Sequence, residues 1–418
     1  MSAALDACSS LGIAVDEAGG PDGGPLALPR TEAEACELIG SFEDTSEGAR
    51  LAPLGLGSSV DWCRPEQAAG DVRTLWLSTR SLVEAQGGVG VVEYVPGDGT
   101  LTALAGARMT DLRAVVAEGG HRITPAIGTD STLGGVLAAG RSGGDRCAHG
   151  PGRHHVLGMR AVDGGGRVAR SGGRLVKNVT GFDLHRLHVG ARGTLGVVLE
   201  ASLRLVPTPE AEALLVSEPL ASDAEAVALA LEVRADQRVR PRQLVVRDRR
   251  VHVVVAGRAA QVELERAAAE AHLGSAEVIA GDGSEERALA AADRAPAMRV
   301  LVAPSRVVEA TRAIASALGE TAGIVIEPDA AIVDLPRSLV DGHAEAWTDA
   351  LLPALDALGA RVESRCPLEP TVAAALAERH ARATTAPERA WTGRLIEAFD
   401  PLHVLRTSGF PAGFDSDR

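Results

Sequence analysis

The sequence predicts an α+β fold, and three observations carry that prediction. Up to Leu205, short runs of β-formers are separated by glycine-rich turns. Beyond Pro209, strand-like and helical stretches alternate, and from about Ala344 helical periods take over. Runs of alternating pattern bounded by Gly and Pro read as strands, and apolar residues at helical spacing read as helices. With 418 residues, 45% of them apolar, the chain is long enough for about two or three domains. Aromatics are only 2%, so the cores must be built from Ala, Val and Leu.

In the first part, strands are expected at Val89 to Tyr94, before Pro96-Gly97-Asp98-Gly99, and at Val156 to Val162, before Gly164-Gly165-Gly166. A third is expected at Gly196 to Leu205. Helical periods cover Thr31 to Ile39 and Thr100 to Glu118, with Thr100 as N-cap of the second. Pro207-Thr208-Pro209 ends the third strand and reads as a linker. Ser222-Asp223 then opens a helix, Leu244 to Val246 and Val251 to Val255 read as a hairpin, and Arg258 to Leu273 is helical. Arg299 to Ala303 reads as a strand, Ser305 to Leu318 as a helix capped by Ser305, and Ile324 to Ile326 with Ala331 to Val333 as a second hairpin. This is the pattern of an antiparallel sheet backed by helices. Helices are expected at Glu369 to Arg382 and Pro387 to Phe399, and Gly19 to Pro25 is expected to be flexible. The division is 1–208, 209–343 and 344–418.

Composition excludes several functions. A formal charge of -14 argues against binding a nucleic-acid backbone, and the scarcity of aromatics argues against base-stacking platforms. Met1 to Asp6 lacks the charged start and long apolar run of a secretory signal. No run approaches the roughly 18 apolar residues of a membrane span. The five cysteines are scattered with no C-x-x-C pair, which fits reduced thiols and offers no zinc or iron–sulfur framework. The expectation is a cytoplasmic protein, peripheral to a membrane only through partners.

The segments that carry chemistry are rich in glycine. Leu51-Ala52-Pro53-Leu54-Gly55-Leu56-Gly57-Ser58-Ser59 lets successive amides turn toward a phosphate, with hydroxyls nearby. A tight structural turn is the alternative, and without G-K-[ST] it is no Walker A loop. Next come Pro125 to Gly135, ending Asp130-Ser131-Thr132-Leu133-Gly134-Gly135, and Gly140-Arg141-Ser142-Gly143-Gly144. Arg146-Cys147-Ala148-His149-Gly150 leads through His154 and His155 to Val156-Leu157-Gly158. The chain's single lysine and single asparagine, Lys177 and Asn178, stand together before Gly181-Phe182-Asp183-Leu184, and Gly190-Ala191-Arg192-Gly193-Thr194-Leu195-Gly196 follows.

In that order these motifs resemble the FAD-binding domain of the vanillyl-alcohol oxidase / p-cresol methylhydroxylase (PCMH-type) superfamily, and most of all the FAD-binding E subunits of glycolate oxidases. Arg394 to Pro401 is similar to the closing helix and Asp-Pro turn of that family. The resemblance implies a two-subdomain FAD-binding domain, a smaller α+β cap domain and C-terminal helices returning to the FAD domain. It implies that Gly55, Gly57, Ser58 and Ser59 cradle the pyrophosphate, and that Thr132, Gly134 and Gly135 line the ribityl chain through backbone groups. Arg146, His149 and Gly150 would lie near the isoalloxazine ring, with Arg146 and His149 as catalytic candidates. Gly196 and Val198 would enclose the adenine end, while Lys177 and Asn178 would fix a loop closing over the cofactor or form a buried structural pair.

Departures from the family bound the expectation. No histidine or cysteine lies between Pro53 and Ser59, so FAD should be non-covalent. His154 stands where an aspartate is usual, and Val404 to Thr407 lacks the familiar Asn-Pro-Gly. Cys147, His149, His154 and His155 could suggest zinc, but Pro151-Gly152 interrupts any regular placement, and no metal is expected. Between Glu210 and Ala344 only His252, His272 and His343 occur, so no acid/base cluster is evident. The resemblance therefore implies an FAD-binding oxidoreductase subunit acting on a 2-hydroxy acid with a catalytic flavoprotein subunit and an iron–sulfur subunit. A stand-alone FAD-dependent alcohol or hydroxy-acid oxidase or dehydrogenase and a non-catalytic scaffold stay open beside it.

Overall fold

The computed structural model describes residues 2–42, 49–59, 73–124, 131–174, 181–280, 297–319, 323–341, 343–364, 368–400 and 404–405. Three main sheets and a short ribbon organise them. The first sheet has the order β1-β2-β4-β3, from β1 (Ala14–Asp16), β2 (Leu26–Leu28), β3 (Ala49–Leu54) and β4 (Arg73–Ser78). Its β2–β4 and β3–β4 pairs are parallel. The second has the order β5-β6-β10-β8-β9, from β5 (Val91–Val95), β6 (Thr100–Leu104), β8 (Val156–Val162), β9 (Val168–Gly172) and β10 (Val197–Arg204), all antiparallel. The ribbon joins β7 (His121–Arg122) to β11 (Val206–Pro207).

The third sheet is antiparallel, with eight strands in the order β15-β12-β14-β13-β17-β18-β16-β19. They are β12 (Ala211–Ser217), β13 (Gln243–Arg247), β14 (Arg250–Gly257), β15 (Ala276–Ala280), β16 (Met298–Leu301), β17 (Val325–Glu327), β18 (Ile332–Leu335) and β19 (Arg361–Ser364). Period-2 alternation decides what each face covers. Val251, Val253 and Val255 of β14 join the core under the helices Asp223–Ala235, Ala259–Leu273 and Val307–Leu318, while Val254 packs with Leu214 and Val216 on the other face. The first two sheets share a core in which Leu51, Leu75 and Leu77 meet Val162, Val197 and Leu199.

The mixed α+β architecture follows the expectation, and both predicted hairpins form, as β13–β14 and β17–β18. Ser222 caps its helix, accepting from the Glu225 amide. Several local readings differ. Thr100 caps no helix: Thr100–Leu104 is strand β6 between β5 and β10, and the helix starts at Met109. Pairing on both edges outweighs a helical period there, and Thr102 Oγ1 lies 2.9 Å from Ser202 Oγ across the pair. Ser305 sits in a 3-10 turn, Pro304–Arg306, and the helix begins at Val307 without a side-chain cap. Pro207, read as the start of a linker, belongs with Val206 to a paired strand. Gly19 to Pro25 is tied down, for Gly20 N donates to Gly24 O and Trp76 Nε1 donates to Asp22 Oδ1 at 2.8 Å.

The 344–418 stretch also differs from helices that simply pack back on the first part. Trp347, Leu351, Leu355, Val362, Val372 and Leu376 are buried in the core of the eight-stranded sheet, and β19 forms its edge. The helix Ala386–Phe399 buries no residue. The return is made at its end: Phe399 O accepts from Gly164 N, and Val404 O accepts from Leu51 N at 3.0 Å. No helix among the described residues is long and apolar enough to cross a membrane.

Candidate functional site

β3 delivers the chain into Gly55–Ser59 at the carboxyl end of a parallel pair. Thr79 N closes the strand by donating to Leu54 O. Gly57 then takes φ +75°, a conformation that a side chain would strain. Gly55 has no room for a β-carbon, which would overlap Thr132 Oγ1. Among the described residues, none accepts a hydrogen bond from the backbone amides of 55–59. Ser58 Oγ lies 3.0 Å from Ser131 Oγ, and the buried Arg141 donates from Nη1 to that same Ser131 oxygen at 2.9 Å. Ser59 Oγ is buried without a partner.

The second stretch arrives from the other side. Thr132 caps the helix Leu133–Ala139 by accepting from Gly135 N, and Gly134 N donates to Ala105 O at 2.7 Å. The amides of Gly134 and Gly135 are therefore engaged inside the protein, so these glycines contribute close approach rather than open donors. A β-carbon on Gly134 would meet that of Ala105 at 2.8 Å. Two more stretches close in. A β-carbon on Gly140 would stand 3.1 Å from Gly190 Cα, and one on Gly193 would stand 2.7 Å from Pro53 Cγ. Arg192, at φ 55°, donates its amide to Ala138 O. Residues 53–59, 131–141 and 190–196 thus meet although up to about 140 positions separate them in sequence.

The remaining expected site residues divide. Gly196 packs against Val162 O and His188, whereas Val198 is buried in the core of the five-stranded sheet. Its side chain is therefore committed to that core. Lys177 and Asn178 lie outside the described residues. Arg146, Cys147 and His149 occupy the short helix Arg146–His149, and Gly150 ends it at φ +76°. A helix of this length does not hold itself. Cys147 Sγ contacts Pro241 O at 3.4 Å, and His155 Nε2 donates to His149 O at 2.9 Å. The His155 ring also reaches Thr124 Oγ1 through Nδ1 at 3.0 Å.

Burial sets the electrostatics of this turn. It lowers the pKa of the Arg146 guanidinium, while Glu327 opposes the shift and Arg299 and Arg153 add to it. Burial pushes the Cys147 thiol up to about 12, so it is no thiolate nucleophile. Burial likewise lowers the pKa of His149 and of His155, which favours neutral rings at pH 7. Across the seam, Arg299 donates from Nε and Nη2 to both oxygens of Asp334, at 2.7 and 2.6 Å, in the body of the eight-stranded sheet. Among the described residues, no group of three or more His, Cys, Asp or Glu is placed to hold a metal ion.

Three groups escaped the sequence reading: the Arg141–Ser131–Ser58 relay, the Arg299–Asp334 pair, and Asp145 with Arg242, Glu212 and Arg122. Arg141 had a signal, a lone cation inside Gly140-Arg141-Ser142-Gly143-Gly144. The others had none, because Asp145 and Arg242 meet across 97 positions. Open amides, a glycine that a β-carbon would close, an unpartnered buried hydroxyl and a buried guanidinium behind a serine pair form the donor set that suits a diphosphate.

Residues 25–172 match the family described as FAD binding domain. The chain is similar to glycolate oxidase subunit GlcE of Escherichia coli, at 38% identity over 125 residues, 29% of this chain and 36% of that protein. It is also similar to glycolate oxidase subunit GlcD of Bacillus subtilis, at 42% identity over 87 residues, 21% of this chain and 18% of that one. The match thus spans about a third or less of these relatives' length. A solved alkyldihydroxyacetonephosphate synthase shares the fold, with TM-score 0.61 and 14% identity, over 91% of this chain and 76% of that one. Matched motifs and shared fold agree: residues 25–172 carry the match to the FAD binding domain family, within a fold that the chain shares with the alkyldihydroxyacetonephosphate synthase.

Proposed function

We propose that this chain is an FAD-dependent oxidoreductase subunit, similar to the E subunit of glycolate oxidase. It supports oxidation of a 2-hydroxy acid together with a catalytic flavoprotein subunit and an iron–sulfur subunit. The observation that carries the reading is the convergence of Gly55–Ser59, Ser131–Gly135 and Gly190–Gly196 on one place. Amides 55 to 59, with the hydroxyls of Ser58 and Ser59, hold the diphosphate. Arg141 acts behind them through Ser131, a cation that offsets phosphate charge in a site partly closed to water. Thr132, Gly134 and Gly135 give the close approach needed beside the ribityl chain. Arg146, His149 and Gly150 stand toward the ring and Gly196 toward the adenine. FAD, when bound, supplies two-electron redox chemistry; the chain's residues bind and orient it and exclude water. The binding is non-covalent, since no Cys or His stands in 53–59, and the protein works in the cytoplasm, next to the membrane only through its partners.

A second reading, a self-sufficient oxidoreductase, draws on His149, a ring kept neutral by burial and therefore able to take up a proton. His149→Ala would then depress turnover with flavin occupancy intact. The primary test is the native extract: the protein is expected to be yellow, to bleach with dithionite, to release its flavin on acid precipitation and to co-purify with the two partner subunits. A colourless protein that refuses FAD contradicts the flavoprotein reading. A lone protein with full 2-hydroxy-acid dehydrogenase activity contradicts the subunit reading.

A further inference from the structure

Four charges, of which Asp145 and Arg242 are buried, run in alternating order between the Arg146–His149 turn and the eight-stranded sheet. Asp145, which precedes the turn, is 1% exposed. Its carboxylate accepts from Arg242 Nη2 at 3.0 Å and from Gln243 Nε2 at 3.1 Å. Arg242 uses its other arm, Nη1, to donate to Glu212 at 2.6 Å, and Glu212 also accepts from Arg122 Nη1 at 3.1 Å. Gln243 opens β13 with Arg242 immediately before it, and Glu212 lies on β12, whereas Asp145 precedes the turn and Arg122 lies on β7. Arg242 is also stitched into its sheet, donating its amide to Val254 O at 2.7 Å. Gly144 completes the fit, because a β-carbon there would meet Gln243 Oε1 at 2.5 Å.

The turn cannot set its own position, being four residues long. Its anchors come from two directions. His155 holds the carbonyl of His149 from one side, and Asp145 and Cys147 tie its start to Arg242, Gln243 and Pro241 on the other. Any shift of the eight-stranded sheet is therefore carried to Arg146 and His149 through a buried, charge-assisted contact in which Asp145 accepts from both Arg242 and Gln243. We infer that Arg242 is a positioning residue, which sets the Arg146–His149 turn through Asp145 and so couples the eight-stranded sheet to the flavin environment. The inference rests on the flavoprotein reading above.

The test compares FAD-loaded wild-type protein with Arg242→Met, Arg242→Lys and Asp145→Asn, reading the flavin visible band and its midpoint potential alongside the melting temperature. Arg242→Met is expected to reshape the band and shift the potential, and Arg242→Lys to bring both back toward wild type. Asp145→Asn, the milder change because Arg242 keeps Glu212, is expected to reproduce the shift, and it decides the matter where Arg242→Met does not fold. A purely structural network would lower the melting temperature and leave band and potential unchanged; that result overturns the inference alone. Wild-type protein that takes up no FAD overturns the flavoprotein reading and the inference with it.

Discussion

At Gly55 the site depends on one missing carbon. A side chain there would overlap Thr132 Oγ1, which is itself held by the Gly135 amide. Gly55→Val should therefore lower FAD affinity by about tenfold or more, roughly 1.4 kcal/mol, with far-ultraviolet dichroism unchanged. Arg141→Met should weaken FAD in the same titration while leaving riboflavin, which lacks a diphosphate, untouched. The glycine was legible in the sequence because its spacing is the signal. The arginine's part was not, since a buried cation is defined by contacts that the linear order does not show. The histidines supply a pH test. Burial lowers His188 to about 4, and His252 also to about 4, against about 6.5 in an unfolded chain. As pH falls from 6.5 toward 4 the unfolded chain takes up protons that the folded one refuses, so stability is lost over that window. The loss is of order 3 kcal/mol per histidine at pH 4. Denaturant midpoints at pH 7.5 and pH 5 should show the fall, and His188→Phe, packed against Phe399, should make it shallower.

Among the elements, the chain's return to the first sheet hangs on Asp400. Its carboxylate accepts from the amides of Val404 and Leu405 at 2.8 and 3.0 Å, and it is fully buried. Asp400→Ala leaves both amides without that acceptor and should cost about 1–3 kcal/mol in denaturant unfolding. A smaller loss would mean that Leu51 and the core around it do not depend on this hook. The Asp-Pro turn was recognisable as a motif, but its role as an anchor for Val404 against Leu51 was not. Elements with partners on both edges misled most. Thr100-Leu101-Thr102-Ala103-Leu104 alternates as a strand yet also fits the start of a helix, and only β5 and β10 decide between them. β19, at the sheet's edge, was also missed, because a four-residue run gains its meaning only from pairing with β16.

For the whole molecule, the sequence pattern was enough to place the hairpins, most helices and the order of the glycine stretches. Composition and motif order do not reveal how the eight-stranded sheet meets the rest, since that contact is made by Asp145, Arg242, Glu212 and Arg122 from four separate segments. We propose that 1–208 forms the FAD-binding unit and that the later strands form a cap, with 344–418 shared between them. The most direct measurement is a titration of flavin-free protein with FAD and with riboflavin, followed by the flavin visible band. Stoichiometric, tight uptake of FAD and much weaker uptake of riboflavin are expected, because the diphosphate carries the grip. Equal affinity for the two, or uptake of neither, would contradict it.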